Sequence, residues 1–144
     1  MLFAAFALLA AGQTFSCRVA AVHDGDTMRC ADGTRIRLQA IDANEMDGSC
    51  HHACARMPAL AARDYLGGLA LGKDAQCQVT GTSYRRVTAW CAVAGKDLSC
   101  AMVQVEGATV WTRFDPEGRL LACRLRAAPY PPMIIRRSHA RHEG

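Results

Sequence analysis

The chain has 144 residues, 51% apolar and 21% charged, which suits one domain with a hydrophobic core and excludes wholesale disorder. No apolar run approaches the ~20 residues that span a bilayer, and no repeat of ~20–50 residues points to a solenoid or propeller. Residues 1–112 carry ten Lys and Arg against ten Asp and Glu, while residues 113–144 carry seven Arg against three acids. The totals therefore indicate no broad basic face, and any anion site in the body must rest on a few placed arginines.

The first element is an apolar block, Leu2–Ala11, followed by Gly12, Gln13 and Thr14. It reads as the apolar stretch of a secretory leader over residues 1–16. Either Ala10 and Gly12 or Thr14 and Ser16 supply the small residues of a cleavage site. The mature chain is then expected outside the cell or in the periplasm and cell envelope.

Cys17–His23 is β-rich and ends at Asp24-Gly25; Thr27–Cys30 resumes the strand. Asp32-Gly33 signals a type I′ hairpin. Thr34–Ile41 alternates, with Ile36, Leu38 and Ala40 on one face and Arg35, Arg37 and Gln39 on the other. Residues 44–57 are polar, rich in Cys and His, and without period, so they read as a loop. Pro58 suits the first turn of a helix whose apolar stripe is Ala62, Tyr65, Leu66 and Leu69, with Gly72 as its stop.

Gln76–Thr80 and Val87–Val93 read as strands joined by a turn around Ser83-Tyr84-Arg85. Asp97 is an N-cap, and its helix is expected to bury Leu98, Met102 and Val105 and to end at Gly107. A short strand, Thr109–Trp111, follows. Asp115-Pro116 offers the cap and first position of a last helix carrying Leu120, Leu121 and Leu125. Residues 127–144, with their Pro and Arg, read as a mobile tail. The order predicts a mainly β chain with two to three helices, built as a five-stranded OB-type barrel over residues 17–126. That fold by itself does not fix a function.

Eight cysteines in a small exported chain read as a disulfide framework. Cys77 and Cys91 flank the Tyr84 turn symmetrically, and Cys17 and Cys30 flank the Asp24 turn nearly so. Both pairs are expected to bond. Cys50 and Cys54 frame Cys-His-His-Ala-Cys. Zinc sites usually draw ligands from separated elements, so a disulfide pinning the loop is preferred to a metal there. Cys100 and Cys123 remain, as a pair or as free thiols.

Three segments concentrate acids and arginines at strand ends: Asp24-Gly25-Asp26-Thr27, then Arg37-Leu38-x-x-Ile41-Asp42-x-x-Glu45, then Tyr84-Arg85-Arg86. In order, spacing and flanking strands they resemble the staphylococcal nuclease (thermonuclease) family over about residues 17–114. The resemblance implies that Asp26, Asp42 and the backbone carbonyl of Ala43 bind Ca²⁺. It implies that Glu45 holds or deprotonates the attacking water, and that Arg37 and Arg86 grip the phosphate. These roles suit the residue types: calcium takes hard oxygens, and a guanidinium fork matches two phosphate oxygens. The family carries Tyr-Gly-Arg where this chain has Tyr84-Arg85-Arg86, so either arginine can face the phosphate.

The resemblance also sets Tyr84 against the nucleotide, with Trp111 and Arg113 further substrate contacts after the second helix. Phe114 follows them. For Trp111, core packing is the competing reading. The implied activity is Ca²⁺-dependent hydrolysis of DNA or RNA by a monomer, with low sequence preference and 3′-phosphate products. The alternatives are a non-catalytic OB-fold module that binds single strands, and a disulfide-stapled envelope protein with a decayed site. A binding module has no use for a water-activating Glu45.

Overall fold

The computed structural model describes residues 9–125. In chain order its strands and helices are β1 (Thr14–Asp24), β2 (Thr27–Cys30), β3 (Arg35–Leu38), β4 (Ile41–Asp42), α1 (Ala59–Ala70), β5 (Asp74–Ser83), β6 (Arg86–Val93), β7 (Lys96–Asp97), α2 (Leu98–Gln104), β8 (Thr109–Val110) and α3 (Arg119–Leu125). A single turn of 3₁₀ helix, Thr112–Phe114, lies between β8 and α3.

Five strands close a barrel. β1 pairs antiparallel with β2 and β5, β2 with β3, and β5 with β6. A parallel pairing of Ile36–Leu38 with Val87–Ala89 joins β3 to β6 and removes both edges. The OB-type β+α class expected from the sequence is the class observed.

Period-2 alternation sends Cys17 and Val19, Ala75, Cys77 and Val79, and Ala89, Cys91 and Val93 inward. Many of these are small, and the bulk comes from Met28, Ile36 and Leu38 of β2 and β3 together with the helices: Leu66 from α1, Leu98 and Met102 from α2, and Leu120 from α3 are all fully buried. Asp97 caps α2 through its side chain, which accepts from the Cys100 amide.

All four disulfides form: Cys17–Cys30, Cys50–Cys54, Cys77–Cys91 and Cys100–Cys123. Four such bonds fit an oxidising compartment. Among the described residues no helix is long and apolar enough to cross a membrane.

Several local expectations are corrected. β1 starts at Thr14, and Thr14–Arg18 pair with Gln78–Asp74. A cut after Ser16 would thus remove the first three residues of a barrel strand, whereas a cut after Gly12 would spare it. Residues 1–8, and the tail assigned to 127–144, lie outside the described residues.

The β2–β3 connection is not a two-residue type I′ turn. Residues 31–34 form the loop, only Gly33 has a positive φ, and Asp32 caps it by accepting from the Thr34 amide. The last helix begins at Arg119 rather than after Pro116, although Asp115 does cap it, accepting from the amides of Arg119 and Leu120. α2 ends at Gln104; Val105 is half-buried and Val103 is the buried residue there.

The break at Ala40 matters most. The sequence reads 34–41 as one strand, but Ala40 adopts φ 64° and divides it. The Trp111 amide donates to the Ala40 carbonyl and fixes the corner. Beyond it, β4 leaves the barrel and pairs antiparallel with β8. The left-handed conformation costs an alanine roughly 1–2 kcal/mol. It turns Asp42 back toward Arg37.

Candidate functional site

Asp26 sits just before β2, and its carboxylate is fully buried. One oxygen accepts from the Thr27 hydroxyl, the other from the Ala43 amide, both at 2.9 Å. Gly25 makes this approach feasible. A Cβ there would lie 2.8 Å from the Ala43 Cβ and 2.9 Å from the Ala62 Cβ, so glycine is required by close packing of the turn, β4 and α1. Asp24, also buried, turns the chain by accepting from the Asp26 amide at 3.0 Å.

Arg37 lies between the two buried acids. Its Nη2 is 3.2 Å from Asp26 Oδ2 and 3.7 Å from Asp42 Oδ1, and donates to the Ile41 carbonyl at 2.9 Å. Arg37 is 8% exposed, so it does not stand on a solvated strand face. Asp42 is fully buried. Its Oδ2 accepts from the amides of His52 and Ala53 at 2.6 and 3.1 Å, and its Oδ1 has no hydrogen-bond partner.

Two buried carboxylates thus share one guanidinium, with the buried Asp24 beside Asp26. Burial pushes the Asp26 carboxyl up to about 7, with the Asp24 carboxylate adding to the rise and Arg37 opposing it. An orphaned buried carboxylate oxygen beside a second carboxylate is hard-oxygen chemistry that suits a calcium ion. No cluster of three or more His, Cys, Asp or Glu suited to a metal occurs among the described residues. A cation here would therefore rest on Asp26, Asp42, backbone oxygen such as the Ala43 carbonyl, and water.

Glu45 is half-buried, and its Oε1 is 2.9 Å from His51 Nε2. His51 and His52 lie in the ring closed by Cys50–Cys54, so this ring touches both acids of the loop segment: Asp42 through amides, Glu45 through imidazole. Asn44 fastens the far side of the loop, donating to the carbonyls of Ala55 and Met57 and accepting from the Ala55 amide.

Arg37 and His51 open onto a groove of about 450 Å³, also lined by Tyr84, Arg86, Trp111 and Phe114. Ser83 pairs with Arg86, so only Tyr84 and Arg85 form the hairpin turn. Arg86 is the arginine that faces this groove; it also donates to the Thr27 hydroxyl at 3.4 Å. Arg85 points instead toward a neighbouring groove. Tyr84 holds φ 57° and is 97% exposed.

Trp111 is not a core residue. Its ring stacks on His52, with centroids 5.0 Å apart and planes within 8°, and meets Phe114 edge-on. Arg113 stands outside the groove lining, 5.7 Å from the Phe114 ring. Phe114 stands where the resemblance sets base-stacking aromatics, while sequence reasoning passed over His51 as a partner of Glu45. The short Cys50–Cys54 spacing was the one signal that the loop holds fixed positions.

Neither a comparison with models of protein families nor one with curated proteins finds a match for this chain.

Proposed function

We propose that the chain is an exported, Ca²⁺-dependent nuclease that hydrolyses phosphodiester bonds of DNA or RNA with low sequence preference. The observation that carries this reading is the meeting of Arg37, Arg86 and His51, which holds Glu45, at one aromatic-walled groove, beside two buried carboxylates that share the single Arg37 guanidinium. Asp26, Asp42 and the Ala43 carbonyl would hold the ion, which when bound supplies positive charge beside the phosphoryl oxygens.

The chain's own groups account for the rest. Arg37 uses Nη2 for its protein contacts, leaving Nη1 and Nε among the described residues to donate to a phosphate. Arg86 approaches from the other wall of the groove. Glu45, steadied by His51, takes the proton of a water attacking phosphorus, and the 5′ oxygen leaves. Trp111, Phe114 and Tyr84 offer π-faces to bases, which gives grip without sequence reading.

The test is degradation of single-stranded DNA and RNA by the oxidised protein, with Ca²⁺ or with chelator, beside Glu45→Gln. Ca²⁺-dependent cleavage reduced by roughly 10²–10⁴-fold in the variant is expected. Binding without cleavage by the wild type would replace this reading with a single-strand-binding module. Neither would leave a decayed site.

A further inference from the structure

A second groove, of about 550 Å³, adjoins the first on the β1–β2–β3 face. Arg29, Arg35, Arg85 and Arg86 line it, and no carboxylate does. None of the four makes an ion pair among the described residues. Four of the ten basic residues in the charge-neutral stretch 1–112 therefore meet in one place. The matching acids are spent elsewhere: Asp24, Asp26 and Asp42 are buried, the last two beside Arg37.

Arg29 and Arg35 are direct cross-strand partners of β2 and β3. Like charges at directly opposed positions destabilise a sheet pair. A ladder position that sets two guanidiniums side by side, with no ion pair to either among the described residues and no carboxylate in the groove lining, suits an anion held between them. Tyr84 and Arg86 line both grooves, so the basic groove continues the first one rather than standing apart from it.

We propose that the Arg29–Arg35–Arg85 groove binds the sugar–phosphate backbone of a single nucleic-acid strand at the nucleotides next to the bond held at Arg37 and Arg86. The occupant is a polyanion with regularly spaced phosphates, led past the exposed Tyr84 ring from one groove into the next. The inference rests on the nuclease reading for its direction, but its binding step needs no cleavage.

The experiment measures binding of a fluorescent 20-nucleotide single strand in chelator, by anisotropy across a salt series, for wild type and Arg29→Gln/Arg35→Gln. Both positions are exposed, and an unchanged melting temperature shows that the variant folds. The variant is expected to bind the 20-mer at least tenfold more weakly at low salt. Two lost phosphate contacts should make its log Kd against log salt slope shallower by about 1.4. A mononucleotide, too short to occupy both grooves, should bind both proteins alike when seated at Arg37. Equal affinities and slopes for the 20-mer, an equal loss for the mononucleotide, or wild-type binding to anionic lipid vesicles but not to the 20-mer would each overturn the proposal. Loss of binding in a protein that never cleaves would keep the groove and remove the nuclease. Cleavage with an unchanged slope would do the reverse.

Discussion

Cys77 and Cys91 sit at directly opposed positions of β5 and β6, in a hairpin whose pairing runs from Ala75–Val93 to Ser83–Arg86. Both are buried in the core. Cys50 and Cys54 close a ring four residues apart, in a stretch with no strand or helix. The hairpin bond fastens backbone that the sheet ladder already orders. The loop bond fastens backbone that nothing periodic orders, and that backbone holds Asp42, Glu45 and the Trp111 ring. One bond therefore serves the scaffold and the other serves the site. The two acids beneath Arg37 divide the same way: the barrel turn supplies Asp26, and the loop amides satisfy Asp42.

The largest expected effect tests the scaffold side of that division. Asp26 keeps its proton in the folded chain up to about pH 7, whereas an unfolded aspartate ionises near 3.8. Between those values the folded state binds the extra proton, so metal-free stability falls as pH rises through this window and levels off above it. At about 1.4 kcal/mol per pH unit the loss is on the order of 4 kcal/mol. Thermal melts in chelator from pH 4 to 8 should show it, and Asp26→Asn should remove most of the slope. A wild type and variant with parallel profiles would mean that the Asp26 charge is already compensated in the fold.

Next comes the hairpin bond. Replacing Cys77 and Cys91 by Ser opens a loop of 14 residues, for which chain entropy gives about 3 kcal/mol. Denaturant titration should register that loss, while turnover per folded molecule stays near wild type. A large loss of turnover at full folding would break the division between scaffold and site.

The sequence carried the barrel well because its signals are periodic or local. Alternation in Gln76–Thr80 and Val87–Val93, the cap at Asp97 and the symmetric spacing of Cys77 and Cys91 each depend on a few neighbours. What it concealed depends on tertiary contact. Nothing in the alternation of Ile36, Leu38 and Ala40 announces that Ala40 turns left-handed, because the hydrogen bond fixing it comes from Trp111, far along the chain. Arg37 keeps the strand period yet is buried, since Asp26 from the β1–β2 turn and Asp42 from β4 close over it. Balanced charge totals concealed the basic groove, because a sum carries no positions.

Gly25→Ala tests the joint between barrel turn and site loop. The added methyl meets two alanine Cβ atoms that have no torsion with which to retreat, so β4 or α1 must shift. A loss toward the upper end of ~1–3 kcal/mol is expected. Ala43→Gly in the same chain removes the nearer obstacle and should restore part of it. No recovery in the double variant would place the conflict at Ala62 and α1 instead.

The smallest stability change is expected where the site is most exposed to damage. Replacing Cys50 and Cys54 by Ser opens only the four-residue separation, for which chain entropy gives about 2 kcal/mol. The barrel and its three other disulfides do not depend on it. Yet the His52 and Ala53 amides that satisfy Asp42, and the His51 imidazole on Glu45, are all held inside that ring. Freed, they exchange with water, and the carboxylates lose their fixed directions. A loss of about 1 Å in such placement is enough to cost about 10²-fold in rate. A readout independent of catalysis is the Trp111 fluorescence in a Trp90→Phe background, because the His52 ring stacked on that indole moves with the loop. An altered Trp111 signal and low turnover at nearly full stability would separate site from scaffold. An unaltered signal would mean that Thr109, which donates to the Ala53 carbonyl, and Asn44 hold the loop without the disulfide.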